Sequence, residues 1–317
     1  MAYTPESGST SRILLLSAVS RHAAAQEPLT VGSYALGGQT RRQGSYAARP
    51  ATSVKKYHPA SAALFIGMRE LQELRALGMA ALQLPHVLRR RGCGSIQYLA
   101  ERNSRYPVLL VHGYAATESV WTPLRHALAA TGFGHIVSLA YNSFATDPET
   151  VSAELTHQAL RALTATGAPR VHLVGHSLGG LIIRGALERS AALSSQAGSV
   201  VTIASPHSGA YLARIAPGRC ARIMRPGSSS YLPPIDAPRP VRWLAYYTDG
   251  DRFVPPASAR LDDPLYGATN LLIPDCGHLT ICRDMRLIRS LVPELVRTET
   301  LAGTTAPIVA GRELMAA

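Results

Sequence analysis

The stretch Val171-His172-Leu173-Val174-Gly175-His176-Ser177-Leu178-Gly179-Gly180-Leu181-Ile182-Ile183-Arg184 decides the fold. It opens as a largely apolar run, breaks at glycines around a serine, and resumes with helical character. A buried strand, a sharp turn and a helix account for that order. Gly175 and Gly179 sit two residues either side of Ser177, fitting Gly-x-Ser-x-Gly. In so tight a reversal, side chains at those positions would collide with each other or with the sheet. The serine hydroxyl is left exposed, and the helix N-terminus behind it favours a developing negative charge. A plain turn with an N-capping serine fits the same five residues, so the neighbouring segments have to decide.

Outward from this turn the chain alternates. Val108–Val111 is a short apolar run ending at Gly113, and Glu118–Ala130 reads as a helix closed by Gly132. Ile136–Tyr141 is a strand, and Asp147-Pro148 supplies an N-cap and first-turn proline for a helix to about Ala165. After the helix Leu178–Arg189 come strands over Val200–Ala204, Val241–Tyr247 and Asn270–Ile273, then helical residues from about Asp284. Strands apolar on both faces, alternating with helices, predict a mainly parallel, doubly wound α/β sheet covered by helices on both faces. The expected division is a disordered leader over 1–58, a helical N-terminal extension over 59–104, the α/β domain over 105–297 and a tail over 298–317. Within the extension, Leu64, Met68, Leu71 and Leu74 recur at helical spacing, and Pro85 followed by Arg89-Arg90-Arg91-Gly92 is expected to end the helix.

Bulk properties exclude several classes. With 46% hydrophobic residues in 317, the chain has ample core material. No run reaches the roughly 18 apolar residues of a spanning helix. The net charge of +12 is uneven: residues 1–105 carry 14 basic and 5 acidic side chains, so most of the excess lies outside the α/β domain. Neither an aromatic-laced basic patch nor a nucleic-acid-binding motif accompanies it, so no nucleic-acid partner is expected. Cys93, Cys220, Cys276 and Cys282 form no CxxC pair, which removes zinc and thioredoxin-like readings, although Cys276 and Cys282 are spaced for a bridge. Arg12 and the apolar stretch Ile13–Val19 imitate a secretory signal, but Arg21-His22 interrupts it. The expected location is therefore cytoplasmic or peripheral to a membrane, with secretion as the alternative.

A serine nucleophile needs a base, and the base needs an orienting anion. Where the nucleophile stands on such an elbow, the partners follow in the order acid, then histidine. Of the 11 histidines only His278 lies beyond the last strands, in the turn-forming Asp275-Cys276-Gly277-His278-Leu279. For the acid, the strand Val241–Tyr247 runs into Thr248-Asp249-Gly250-Asp251-Arg252-Phe253-Val254-Pro255, and both Asp249 and Asp251 leave its carboxyl end. The pattern Asp-x-hydrophobic-Val-Pro favours Asp251, with the other carboxylate left to cap turn amides. Gly113 lets the backbone turn near the nucleophile, so the N–H groups of Tyr114 and Leu178 are the expected oxyanion donors. His112 precedes the nucleophile and reads as a support for that loop.

Together these segments resemble bacterial lipases and esterases of the α/β-hydrolase superfamily, close to the class 2 triacylglycerol lipases. The matching elements are Pro107–Tyr114, Gly175–Gly180, Ala204–Gly209, Arg225–Ser228, Asp251–Pro255 and Gly277–Leu279, in the right order. The resemblance implies the α/β-hydrolase fold, and the segment His207–Pro240 is too short for a large cap domain, so a small or absent lid is expected. It also implies a Ser177, Asp251, His278 triad and an oxyanion hole at Tyr114 and Leu178. An ester or lipid substrate follows, with neither a metal nor an organic cofactor. Ala204-Ser205-Pro206-His207-Ser208-Gly209-Ala210 departs from the family's usual Gly-Ser-Pro-His-His-Gly-Thr in a loop expected to line the acyl pocket. An acyltransferase or thioesterase with the same triad, and a catalytically silent hydrolase-like binding protein, are the competing readings. Residues 60–91 either pack on the α/β domain or make a peripheral membrane contact.

Overall fold

Seven strands build one sheet in the order β1-β3-β2-β4-β5-β6-β7. The computed structural model describes residues 59–100, 105–228 and 241–304, so the leader and its signal-like segment lie outside the described residues. The strands are β1 (Cys93–Leu99), β2 (Val108–Val111), β3 (His135–Tyr141), β4 (Val171–His176), β5 (Ala197–Ile203), β6 (Arg242–Tyr247) and β7 (Thr269–Leu272). The helices are α1 (Pro59–Arg89), α2 (Thr122–Ala130), α3 (Pro148–Thr166), α4 (Leu178–Arg189), α5 (Ala191–Gln196), α6 (Pro256–Ala259) and α7 (Met285–Thr304). Strands β2 to β7 run parallel, as their largely apolar runs predict, and β1 pairs antiparallel with β3 at the edge.

Period-two alternation sorts the core into two layers. Leu109 and Val111 face the cluster built on α3 and α4, with Leu155, Leu181 and Ile183. Val108 and Leu110 face the cluster built on α2 and α7, with Leu124, Leu128 and Leu291. Both faces of β2 are therefore fully covered, which is why Val108–Val111 shows no polar alternation in sequence.

Three boundaries differ from the sequence expectation, and each has a physical reason. The extension over 59–104 is not wholly helical: Cys93–Leu99 forms the edge strand β1, in register with residues 135–141. Its partner lies some 40 residues further along the chain, and only one side of an edge strand is paired, so local patterning hardly marks it. Gly92, at φ +74°, makes the turn from α1 into β1. Second, α1 passes through Pro85 to Arg89. Contacts beyond the proline hold it: Val87 is buried, Asn142 donates to the Arg90 carbonyl, and the Arg90 guanidinium pairs with Glu118. Third, α7 runs into the expected tail. Thr298 is bonded to Ser199, and Glu299 accepts from the Tyr106 N–H and pairs with Arg105 and His172.

The inner face of α1 is also unlike the leucine stripe that marked it as a helix. Glu73, Ala76, Ala80, Gln83, Leu84 and Val87 recur every three or four residues as its covered positions. Leu71, Leu74 and Leu82 are instead turned outward, at 57%, 62% and 76% exposure. Cys276 and Cys282 are both buried free thiols, so the bridge that their spacing allowed does not form.

Candidate active site

The turn after β4 has the geometry that its glycines predict. Ser177 sits at φ +52°, ψ −120°, between the last residue of β4 and the first of α4. Such a conformation costs a non-glycine residue about 1–3 kcal/mol. Packing offsets it: α4 buries Leu178, Leu181, Ile182 and Ile183 completely, and each such side chain contributes roughly 1.5–3 kcal/mol. The Ser177 N–H donates to the Ile203 carbonyl of β5 at 2.8 Å, which fixes the turn to the sheet. A Cβ on Gly175 would lie 2.5 Å from the Gly179 backbone, and one on Gly179 would overlap the Val111 carbonyl. Only glycine allows that approach.

Two loops from the carboxyl ends of β6 and β7 meet at this serine. His278 Nε2 lies 3.0 Å from Ser177 Oγ, across 101 residues of sequence. Its Nδ1 lies 2.6 Å from Asp251 Oδ2. The other Asp251 oxygen accepts from the Phe253 and Val254 amides, both at 2.8 Å, so the carboxylate is fixed before it meets the imidazole. The Asp251 side chain is 1% exposed, and Ser177 and His278 are 5% and 7% exposed. Asp249 instead accepts from the Asp275 N–H at 2.9 Å, so it ties the two loops together and makes no bond to the imidazole. The two aspartates that sequence left open are thus separated by their partners.

The proposed oxyanion donors flank the same hydroxyl. Leu178 is the first residue of α4, so its N–H has no acceptor within the helix. On the other side, a Cβ on Gly113 would sit 3.1 Å from Ser177 Cβ, which brings the 113–114 backbone against the serine. Behind it the Tyr114 hydroxyl donates to the Pro217 carbonyl, its ring packs on Phe144, and the Ala115 N–H donates to Ser143 Oγ at 3.0 Å. His112 supports the loop, as expected, stacking on Tyr141 at 4.2 Å and bonding the Gly113 carbonyl at 2.9 Å. Burial lowers its pKa to about 4, so the ring stays neutral at pH 7.

Two supports of His278 were not predicted. His176 donates from Nε2 to the His278 carbonyl at 3.0 Å; burial, and then the neighbouring His278, lower its pKa to about 3. Its position inside the elbow motif was the available signal. Glu73 of α1 accepts from the Leu279 N–H at 2.8 Å, and nothing local in the sequence marks a contact spanning 206 residues. The loop expected to line the acyl pocket borders a cavity of about 240 Å³ that includes Arg184, His207 and Arg225 but not Ser177. Among the described residues, no group of three or more His, Cys, Asp or Glu side chains is placed to hold a metal.

A hydroxyl bonded to an imidazole, itself bonded to a fixed carboxylate, suits proton transfer from an attacking oxygen. The arrangement of elements is shared by a solved structure. The mature form of a Bacillus licheniformis lipase superposes with a TM-score of 0.54 at 17% identity, covering 64% of this chain and 98% of the lipase. The chain therefore has the α/β-hydrolase fold. Over part of its length its sequence is similar to lipases. A triacylglycerol lipase of Pseudarthrobacter phenanthrenivorans is 35% identical over 119 residues, which is 35% of this chain and 36% of the lipase. A triacylglycerol lipase of Burkholderia plantarii is 35% identical over the same length, 32% of its own chain. The chain thus spans about a third of the length of these curated relatives. A family model described as palmitoyl protein thioesterase matches residues 107–241, the part of the α/β unit that carries Ser177.

Proposed function

We propose that the chain hydrolyses carboxylic esters through an acyl-enzyme, with Ser177 as nucleophile, His278 as base and Asp251 as the orienting acid. The observation that carries this reading is the bonded series Ser177 Oγ, His278 Nε2, His278 Nδ1, Asp251 Oδ2, assembled from three loops at one end of the sheet. In the first half-reaction Ser177 Oγ bonds to the ester carbonyl carbon as its proton passes to His278 Nε2. The carbonyl oxygen takes the electron pair and rests on the N–H groups of Tyr114 and Leu178. The carbonyl then re-forms, the bond to the alkoxide breaks, and His278 returns the proton to the departing alcohol. In the second half-reaction water gives a proton to His278 and attacks the acyl carbon, and collapse restores the Ser177 hydroxyl.

A thioester substrate is the second reading, favoured by the palmitoyl protein thioesterase family match over residues 107–241. It uses the same groups, with a thiolate leaving instead of an alkoxide. A panel of p-nitrophenyl esters from acetate to palmitate, set beside acyl thioesters of matched length, separates the two. The ester reading predicts the higher kcat/KM for the oxygen esters; a thioester preference above tenfold reverses the assignment. A fluorophosphonate probe tests the silent-scaffold alternative, since an inert hydrolase-like protein fails to label.

The outer surface fits a lipid-like substrate. Leu71, Leu74 and Leu82 on α1, and Tyr211 and Ile215 at the 3-10 turn Tyr211–Arg214, stand exposed. Arg75 and Arg89 on α1 add positive charge among them. This supports a peripheral contact with an anionic lipid surface through residues 60–91. No helix among the described residues is long and apolar enough to cross a membrane.

A further inference from the structure

We infer that Glu73, on the helix N-terminal to the α/β unit, is a positioning residue for His278; the inference rests on the proposed role of His278 as base. The imidazole is carried by the turn 277–281, closed by the Ile281 N–H bonding the Gly277 carbonyl at 3.1 Å. Within the α/β unit, Thr248 Oγ1 donates to the Cys276 carbonyl and His176 donates to the His278 carbonyl, gripping the turn at its start. On the far side of His278 the grip comes from α1 alone among these contacts. Glu73 Oε1 accepts from the Leu279 N–H at 2.8 Å, and Oε2 lies 3.2 Å from Thr280 Oγ1, which donates to it. Thr280 Oγ1 in turn accepts from the Gly277 N–H at 2.9 Å. One carboxylate therefore closes a relay around the residue that faces both Ser177 and Asp251. The fit is close, since a Cβ on Gly277 would overlap the Glu73 carboxylate.

Glu73 touches neither Ser177 nor the His278 ring in these contacts, so it acts through the backbone. The imidazole must hold two hydrogen bonds at once, 3.0 Å to Ser177 and 2.6 Å to Asp251. A turn free to rock about its Cys276 end breaks one of them, and small misplacements of reacting groups are costly in rate. The helix is also fastened elsewhere, where Arg252 pairs with Glu70 and Gln83 accepts from Thr117 Oγ1 at 2.8 Å. Losing Glu73 therefore releases the turn while α1 stays docked. Glutamine is a fair replacement, because its oxygen accepts from Leu279 and its amide can donate to Thr280 Oγ1.

The test uses the full chain with a soluble short-chain p-nitrophenyl ester, and follows the rate of fluorophosphonate labelling in parallel. Glu73→Ala is expected to lower kcat and the labelling rate about 10- to 100-fold, with KM within threefold of the parent. Glu73→Gln is expected to restore both to within threefold. Gln83→Ala, which loosens α1 without touching the 277–281 turn, is expected to leave both unchanged. Parent-like kcat in folded Glu73→Ala overturns the inference. So does an equal loss in Gln83→Ala, which would assign the effect to helix docking, or a failure of Glu73→Gln to recover. Should Glu73→Ala not fold, Thr280→Val cuts the relay at its hydroxyl, and a kcat loss of less than threefold overturns the inference. A parent that neither labels nor turns over refutes the proposed function itself, a result distinct from any of these.

Discussion

Asp249 and Asp251 differ by two residues and leave the same strand, yet their roles separate on hydrogen bonds. Asp251 spends one oxygen on two backbone amides and offers the other to His278, whereas Asp249 caps the Asp275 amide. Asp251→Asn keeps the shape but removes the anion that orients the ring and stabilises its protonated form. The expected loss in kcat is about 10³- to 10⁴-fold, the scale known for triad acids. Asp249→Asn should stay within tenfold of the parent in the same ester assay. Reversed magnitudes would exchange the two assignments. The elbow, the single late histidine and the two candidate acids were legible in sequence because their chemistry depends on residue type at fixed short spacing. The choice between the acids was not, since it turns on which oxygen reaches the ring. Glu73 and its 206-residue reach left no local mark at all.

At the scale of elements, α1 is the part of the molecule that sequence described least well. Its leucines announced a helix, but Leu71, Leu74 and Leu82 stand outward, and the covered face is made of Glu73, Ala76, Ala80, Gln83, Leu84 and Val87. Periodicity reports that one face is apolar and not which face meets the protein. The outward leucines give a prediction for the proposed lipid contact. The triple variant Leu71→Ser, Leu74→Ser, Leu82→Ser should reduce sedimentation with anionic phosphatidylglycerol vesicles at least fivefold, leaving hydrolysis of a soluble acetate ester within threefold. Unchanged sedimentation, or none in the parent, rejects that contact. Removing residues 1–100 would be a poorer test, because it deletes β1 along with the helix and strips β3 of its antiparallel partner.

Across the whole molecule the sheet was legible because parallel strands buried on both faces leave largely apolar runs, as Val108–Val111 does and as Val171–Val174 does around His172. The edge strand β1 and the last turns of α7 depend on partners distant in sequence, and so escaped. The same burial sets how stability responds to acid. His112 and His176 are buried neutral, with pKa values lowered to about 4 and about 3 from 6.5, chiefly by burial. The unfolded chain takes up these protons below pH 6.5 while the folded chain refuses them, so the stabilisation is complete above pH 6.5 and falls as pH drops towards 4. Each group contributes a slope of about 1.4 kcal/mol per pH unit in that window. Glu299, held below its usual range by hydrogen bonds from His172, Tyr106 and Arg105 that outweigh its burial, loses stabilisation in the same direction. The urea midpoint should therefore fall steadily between pH 6.5 and 4.5; a flat midpoint would contradict the buried neutral histidines.

The central claim is that Ser177 is the nucleophile, and the most direct measurement is the site of covalent modification. The protein is treated with a fluorophosphonate, digested, and the adduct located by peptide mass, with Ser177→Ala treated alongside and both assayed on p-nitrophenyl butyrate. A single adduct on Ser177 is expected, none in Ser177→Ala, and a loss of hydrolysis of at least a thousandfold in that variant. An adduct on another residue, or Ser177→Ala hydrolysing the ester within a few-fold of the parent, would contradict it.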